Sequence, residues 1–225
     1  MTDPDAPLQF RRRDGLVVAA AVGVFGVAFG VLAVATGLSA PQAQVMSLLV
    51  FTGGSQFAAV GVIDAGGTPL AAVGSAALLA ARNGMYGLSL NSILPGGFRR
   101  RAVAAQFVID ESAAMASAQK DRTEAQRAFW TTGLGVFVFW NLGTLLGAVG
   151  GNAIGDPETF GLDAAFPAGF VALMAPHLRQ RPGLVAALVG GLIALVTIPL
   201  VPAGVPILLA TFAVIPAYVV ATRPR

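Results

Sequence analysis

The sequence predicts an all-α integral membrane protein with broken or re-entrant helices, and three observations carry that reading. Of the 225 residues, 56% are hydrophobic and only 11% charged, against roughly a quarter charged in an ordinary soluble domain. A soluble core could not hide that much apolar surface. About 20 apolar residues cross roughly 30 Å of hydrocarbon, and stretches of that length recur along the chain. Several of them carry polar, glycine-containing interruptions. Lipid cannot solvate backbone N–H and C=O groups, so irregular chain at that depth must be buried in protein or line a polar cavity.

About six to eight hydrophobic segments are expected, forming one transmembrane domain over 16–225 behind a cytoplasmic segment at 1–15. The first, Leu16–Leu38, follows basic residues but exceeds the roughly 7–15 apolar residues of a signal peptide, so it reads as an uncleaved span. Ala43–Ile63 is apolar apart from its centre. Thr68–Leu94 is long enough to span but holds Arg82-Asn83-Gly84, and Ala102–Ala118 carries Asp110-Glu111, too polar to face lipid throughout. Ala128–Gly150, Leu162–Leu178, Gly183–Val201 and Val205–Thr222 complete the set.

Loop charge orients these segments. Arg11–Arg13, Lys120, Arg122 and Arg127, and His177, Arg179 and Arg181 flank spans on one side, whereas Asp156, Glu158 and Asp163 share a loop without basic residues. The positive-inside rule puts both termini in the cytoplasm and the acidic loop outside. A plain Thr68–Leu94 span would send Arg99–Arg101 outside, while a re-entrant one folding at Asn83-Gly84 keeps them inside. The re-entrant form satisfies the rule everywhere and is the expectation. Gly26-xxx-Gly30 echoes Gly143-xxx-Gly147-xxx-Gly151; glycines four apart let helices approach closely. If the echo marks a repeat, halves 16–118 and 128–222 of three spans each would be inverted, with a site at their interface near the midplane.

Three groups of residues carry chemistry. Met46–Phe57 places Phe51, Thr52, Gly53, Gly54, Ser55 and Gln56 at the centre of its segment. A helix broken there offers free N–H groups and the positive end of a half-helix to an anion such as a carboxylate. Arg82 costs about 2.5–3.5 kcal/mol at mid-membrane, so it should pair or line a polar path; Asn83 and Tyr86 share its surroundings. Asp110 and Glu111 differ by about 100° in direction on a helix, so one at most points into a given cavity. Either is suited to carry a proton, hold an ammonium group or pair with Arg82.

Other chemistries find little support. With no cysteine, thiol catalysis and disulfides are excluded. The single histidine, His177, has no zinc-ligand spacing around it, Ser55 has no candidate base nearby in sequence, and the chain lacks a G-x-x-x-x-G-K-[ST] loop. No cofactor, no metal and no enzymatic role are expected. The net charge of +3 comes from loop clusters, which argues orientation in a bilayer rather than nucleic-acid binding.

The runs Gly37-Leu38-Ser39 … Gln42-Ala43 … Met46–Ala58, then Ala81-Arg82-Asn83 … Tyr86-Gly87-Leu88, then Ile109-Asp110-Glu111-Ser112 resemble the AzlC family, the large subunit of two-component branched-chain amino-acid exporters. The resemblance covers about Gly23 to Leu178. The family typically has threonine where this chain has Ile109, and a bulkier residue where it has Asn83. The resemblance implies proton-driven export of valine, leucine, isoleucine or methionine across a bacterial cytoplasmic (inner) membrane by a multi-pass protein, alongside a small AzlD-type membrane subunit. A passive channel or membrane scaffold is the alternative reading of the residues.

Overall fold

A computed structural model describes residues 10–154 and 177–222, with isolated positions between them. The described residues are helical, without a strand. The expected segment Leu162–Leu178, the acidic loop and Arg223 and Arg225 lie largely or wholly outside them. Among the described residues three stretches are long and apolar enough to cross a membrane: Arg12–Ala35, Arg122–Gly151 and Val205–Thr222.

Helix α1 (Arg12–Ala35) and α7 (Arg122–Ile154) form the spine. Their paired glycines do what four-residue spacing allows. Carbonyls of Gly23 and Val27 lie where Cβ atoms on Gly143 and Gly147 would sit, so the two backbones touch. Along this contact residue numbers rise together: Gly15 faces Thr132, Gly23 faces Phe139, Gly30 faces Thr144, and Gly151 faces Val31 and Val34. The helices are therefore parallel. The glycine echo is thus the seam along which α1 and α7 pack.

Between them the chain makes two helical hairpins and one straight helix. α2 (Ala40–Leu49) starts at a capping box, with the Ser39 N–H donating to Gln42 Oε1 at 2.8 Å, which satisfies otherwise orphaned helix-end groups. It begins beside the C-terminal end of α7 and moves to its middle, Ser47 meeting Thr144 at 3.1 Å and Phe51 meeting Phe137. The helix stops at Val50, and α3 (Gly54–Asp64) turns back. Its direction follows from α4 (Pro69–Ser89): Ala59 and Val62 pack on Ala71 and Ala72 across a tight turn, so α3 and α4 are antiparallel. The far end of α4 lies at the start of α7, where Gln126 donates to the Ile93 carbonyl at 2.8 Å and Leu90 packs with Phe129.

α4 is continuous through Asn83-Gly84, which corrects the expected fold there. A single glycine costs a helix about 1 kcal/mol, too little by itself to break a helix of 21 residues. The re-entrant turn lies instead within Ala102–Ala118, divided into α5 (Phe98–Gln106) and α6 (Asp110–Ser117). Ser112 holds the break: its Oγ accepts from the Ile109 N–H at 3.1 Å and donates to the Phe107 carbonyl at 2.6 Å. α5 rises from Gln126 and Trp130 to Gly133, and α6 returns to Phe129. Arg99–Arg101 thus lie at the same end of the molecule as the start of α7. Ala43–Ile63 likewise is no plain span but the hairpin α2–α3.

α8 (Arg181–Thr197), α9 (Val205–Ala210) and α10 (Val214–Thr222) follow, the last two joined by one 3₁₀ turn. They dock through Gly204, whose carbonyl accepts from Ser75 Oγ at 3.3 Å. At φ 88° a side chain here is strained, and its Cβ would meet Val62 at 2.9 Å and Ala71 at 3.0 Å.

Candidate functional site

The two hairpins enter from opposite ends and meet halfway along α7. Phe137 sits between their tips, its ring centroid 5.1 Å from Phe51 and 5.5 Å from Phe107, both edge-on. Gln106 closes the gap, its Nε2 donating to the Leu48 carbonyl at 2.9 Å. That bond supplies a partner to a carbonyl freed where α2 ends, the requirement for broken backbone at membrane depth.

The first tip is built by Gly53, which adopts φ 58°, ψ −85°, a conformation glycine reaches readily. Its N–H donates to Gln56 Oε1 at 3.2 Å, and the Thr52 N–H closes a tight turn on the Val50 carbonyl at 2.8 Å. Gly54 is the first residue of α3. Phe51, Ser55 and Gln56 are buried. Phe29, Phe57 and Trp140 stand beside them, Phe57 edge-on to both other rings at 5.6 and 6.1 Å. Against this apolar wall, Thr52 Oγ1, Ser55 Oγ and Gln56 Nε2 are buried and have no hydrogen-bond partner among the described residues. An unmet buried polar group costs about 1–3 kcal/mol, and three within five residues of sequence form a set that a polar ligand head would satisfy.

The second tip carries the charges. Asp110 and Glu111 open α6, where the positive end of the helix favours carboxylates. Arg82 reaches Asp110 from α4, Nη2 to Oδ2 at 2.8 Å, with the two side chains 27% and 21% exposed. Arg82 Nε and Asn83 Oδ1 are buried without partners among the described residues. The pair therefore links the straight helix to the second break. Phe107, three residues before Asp110, packs both on the cluster that contains Phe51 and on the one that contains Leu90, so the two tips share a wall. Tyr86, one turn on from Arg82, packs with the cluster of Leu90 and Phe129 and hydrogen-bonds Asp110, so it belongs to the surroundings of the charged pair.

Several residues that build this centre were not singled out from sequence. Besides Gln106 these are Gln44, which donates to Asn141 Oδ1 at 3.2 Å, and Ser47 with its partner Thr144. A signal existed: Gln44 and Ser47 are three apart, as are Asn141 and Thr144, and three-residue spacing puts polar groups on one helix face. Trp140 and Phe137 gave no such signal, because aromatics in an apolar run look alike whether they face lipid or protein.

No curated protein and no solved structure matches the chain. The family model described as AzlC protein matches residues 17–154, well over half of the chain, and the chain belongs to the AzlC family, which ties it to membrane proteins of branched-chain amino-acid transport.

Proposed function

We propose that this chain is the large subunit of a two-component exporter, moving branched-chain or other hydrophobic amino acids out of a bacterial cytoplasm at the expense of the proton gradient. The observation that carries the reading is the meeting of two hairpin tips halfway along α7, one offering unmet polar groups beside aromatic rings, the other a carboxylate pair opposed by Arg82. An amino acid needs those three features: donors for its carboxylate, an anion for its ammonium, an apolar wall for its side chain. The chemistry is transport rather than catalysis. A small AzlD-type membrane subunit is the proposed partner.

The topology we propose is multi-pass, with six to eight hydrophobic segments in the inner membrane. Positive residues at the starts of α1, α5 and α7 put that end in the cytoplasm. The unit 12–64 (a helix, then a hairpin from one side) corresponds to 69–117 (an opposed helix, then a hairpin from the other). This is the inverted repeat we propose, and its interface is where transporters of that kind hold substrate.

Flux in proteoliposomes tests the function. With the partner subunit present, leucine efflux is expected to saturate and to accelerate when an opposing proton gradient is imposed. Flux that rises almost linearly with leucine and ignores the gradient would establish the passive-channel reading instead. The site has its own test. The Gly53→Leu, Gly54→Leu double variant forces side chains onto the tip and is expected to lower valine export at least ~tenfold, the loss for a misplaced binding group, with membrane level unchanged. Normal export by that variant at normal abundance removes the tip from the substrate path.

A further inference from the structure

At the end of the molecule where α4 passes into α5, a cleft opens between Leu94, Pro95, Arg100, Arg101, Gln126 and Trp130. We infer that it holds the phosphate of an anionic lipid headgroup, or a free phosphate of the same chemistry. The argument begins with charge. Arg99, Arg100 and Arg101 occupy the first turn of α5, where the positive helix end disfavours cations, and no carboxylate pairs with them among the described residues. Three guanidinium groups and a helix terminus sum to a field that an anion from outside the chain would neutralise.

The surroundings are built. Gly96 has φ 142°, and a Cβ there would lie 2.7 Å from Arg100 Cδ, so the stem of Arg100 lies against the glycine backbone. Gln126 ties the same loop to α7 through the Ile93 carbonyl at 2.8 Å. Trp130 borders the cleft, and an indole at a membrane boundary marks headgroup depth. Phe98, 86% exposed beside the arginines, has the place of an apolar anchor pointing its neighbours at the interface. Planar guanidinium forks recognise phosphate oxygens two at a time, and basic pockets between spans on the cytoplasmic side take such headgroups.

Native mass spectrometry of the full chain in detergent, titrated with phosphatidylglycerol or phosphatidylcholine, tests this. Phosphatidylglycerol is expected to bind about tenfold more tightly, and R100Q/R101Q to remove most of that preference, as two lost surface cations predict. The control R12Q/R13Q loses the same charge outside the cleft and should keep it. The source is separated by thermal shift without anionic lipid: a rise with inorganic phosphate that R100Q/R101Q loses assigns the free anion, and a rise with phosphatidylglycerol alone assigns the lipid. Equal preference in R100Q/R101Q and the parent protein, or equal loss in R12Q/R13Q, overturns the site. Should the glutamine variant not fold, R100K/R101K keeps the charge but loses the fork; a threefold or greater drop, on the order set by bidentate geometry, is expected, and no change is again fatal.

Discussion

Gly147→Ala is expected to destabilise the protein by about 1–3 kcal/mol or more, the usual effect of forcing atoms into a packed interface, whereas Gly150→Ala, three residues on, should leave it unchanged or slightly more stable. The difference lies entirely in what a methyl group meets. At Gly147 it would run into the Val27 carbonyl of α1, and backbone cannot swing aside as a side chain can; at Gly150 there is nothing within 4 Å. Alanine in the open position adds only its better helix propensity, up to about 1 kcal/mol over glycine. Thermal unfolding of the two purified variants in detergent, with their monodisperse yield, measures the contrast. Indistinguishable melting temperatures would mean that α1 and α7 do not touch through their glycines.

The second large effect is expected at the ion pair. Asp110→Asn deprives Arg82 of its ion-pair partner, and an unpaired cation in the membrane costs up to about 2.5–3.5 kcal/mol, so it should lower both abundance and transport. Arg82→Gln removes the costlier charge and should lower transport with a smaller effect on abundance. Exchanging the two, R82D with D110R, restores the pair but puts a cation on the N-terminal end of α6, which disfavours it; abundance should recover partly and transport should not. Full transport in the exchanged variant would reduce the pair to a structural bridge. Coupling is read from the same series. If Asp110 or Glu111 carries the proton, the Asn or Gln variant should lose gradient-driven accumulation while exchange of internal for external substrate persists. Unaltered gradient dependence in both single variants would place the coupling group elsewhere.

How much of this was legible in the chain differs from one part to the next. Two helix starts carry local capping signals, Ser39 with Gln42 and Thr68 before Pro69, that were not singled out from the sequence. The interruption at Gly53-Gly54 was legible, because a polar pair of glycines in an apolar run has few other uses. Asn83-Gly84 carried a similar signal yet lies in an unbroken helix. Phe107–Ile109 carried none and is a break. Whether a helix bends is settled by where its freed backbone groups find partners: at the second break Ser112 supplies them, and at the first Gln106 reaches the Leu48 carbonyl from 58 residues away.

The sequence by itself determined that this is a membrane protein of helices, that one of them is broken, and that Arg82 should pair or line a polar path, because burial cost and backbone satisfaction act on each segment separately. Only the tertiary structure decided that α1 and α7 run parallel, that two hairpins enter from opposite ends, and that Gln106 and Phe137 join their tips. Those are pairings between segments up to about a hundred residues apart. In a bilayer every apolar face is equally content against lipid or protein, so hydrophobic pattern cannot choose among them; close glycine contacts and a few hydrogen bonds do.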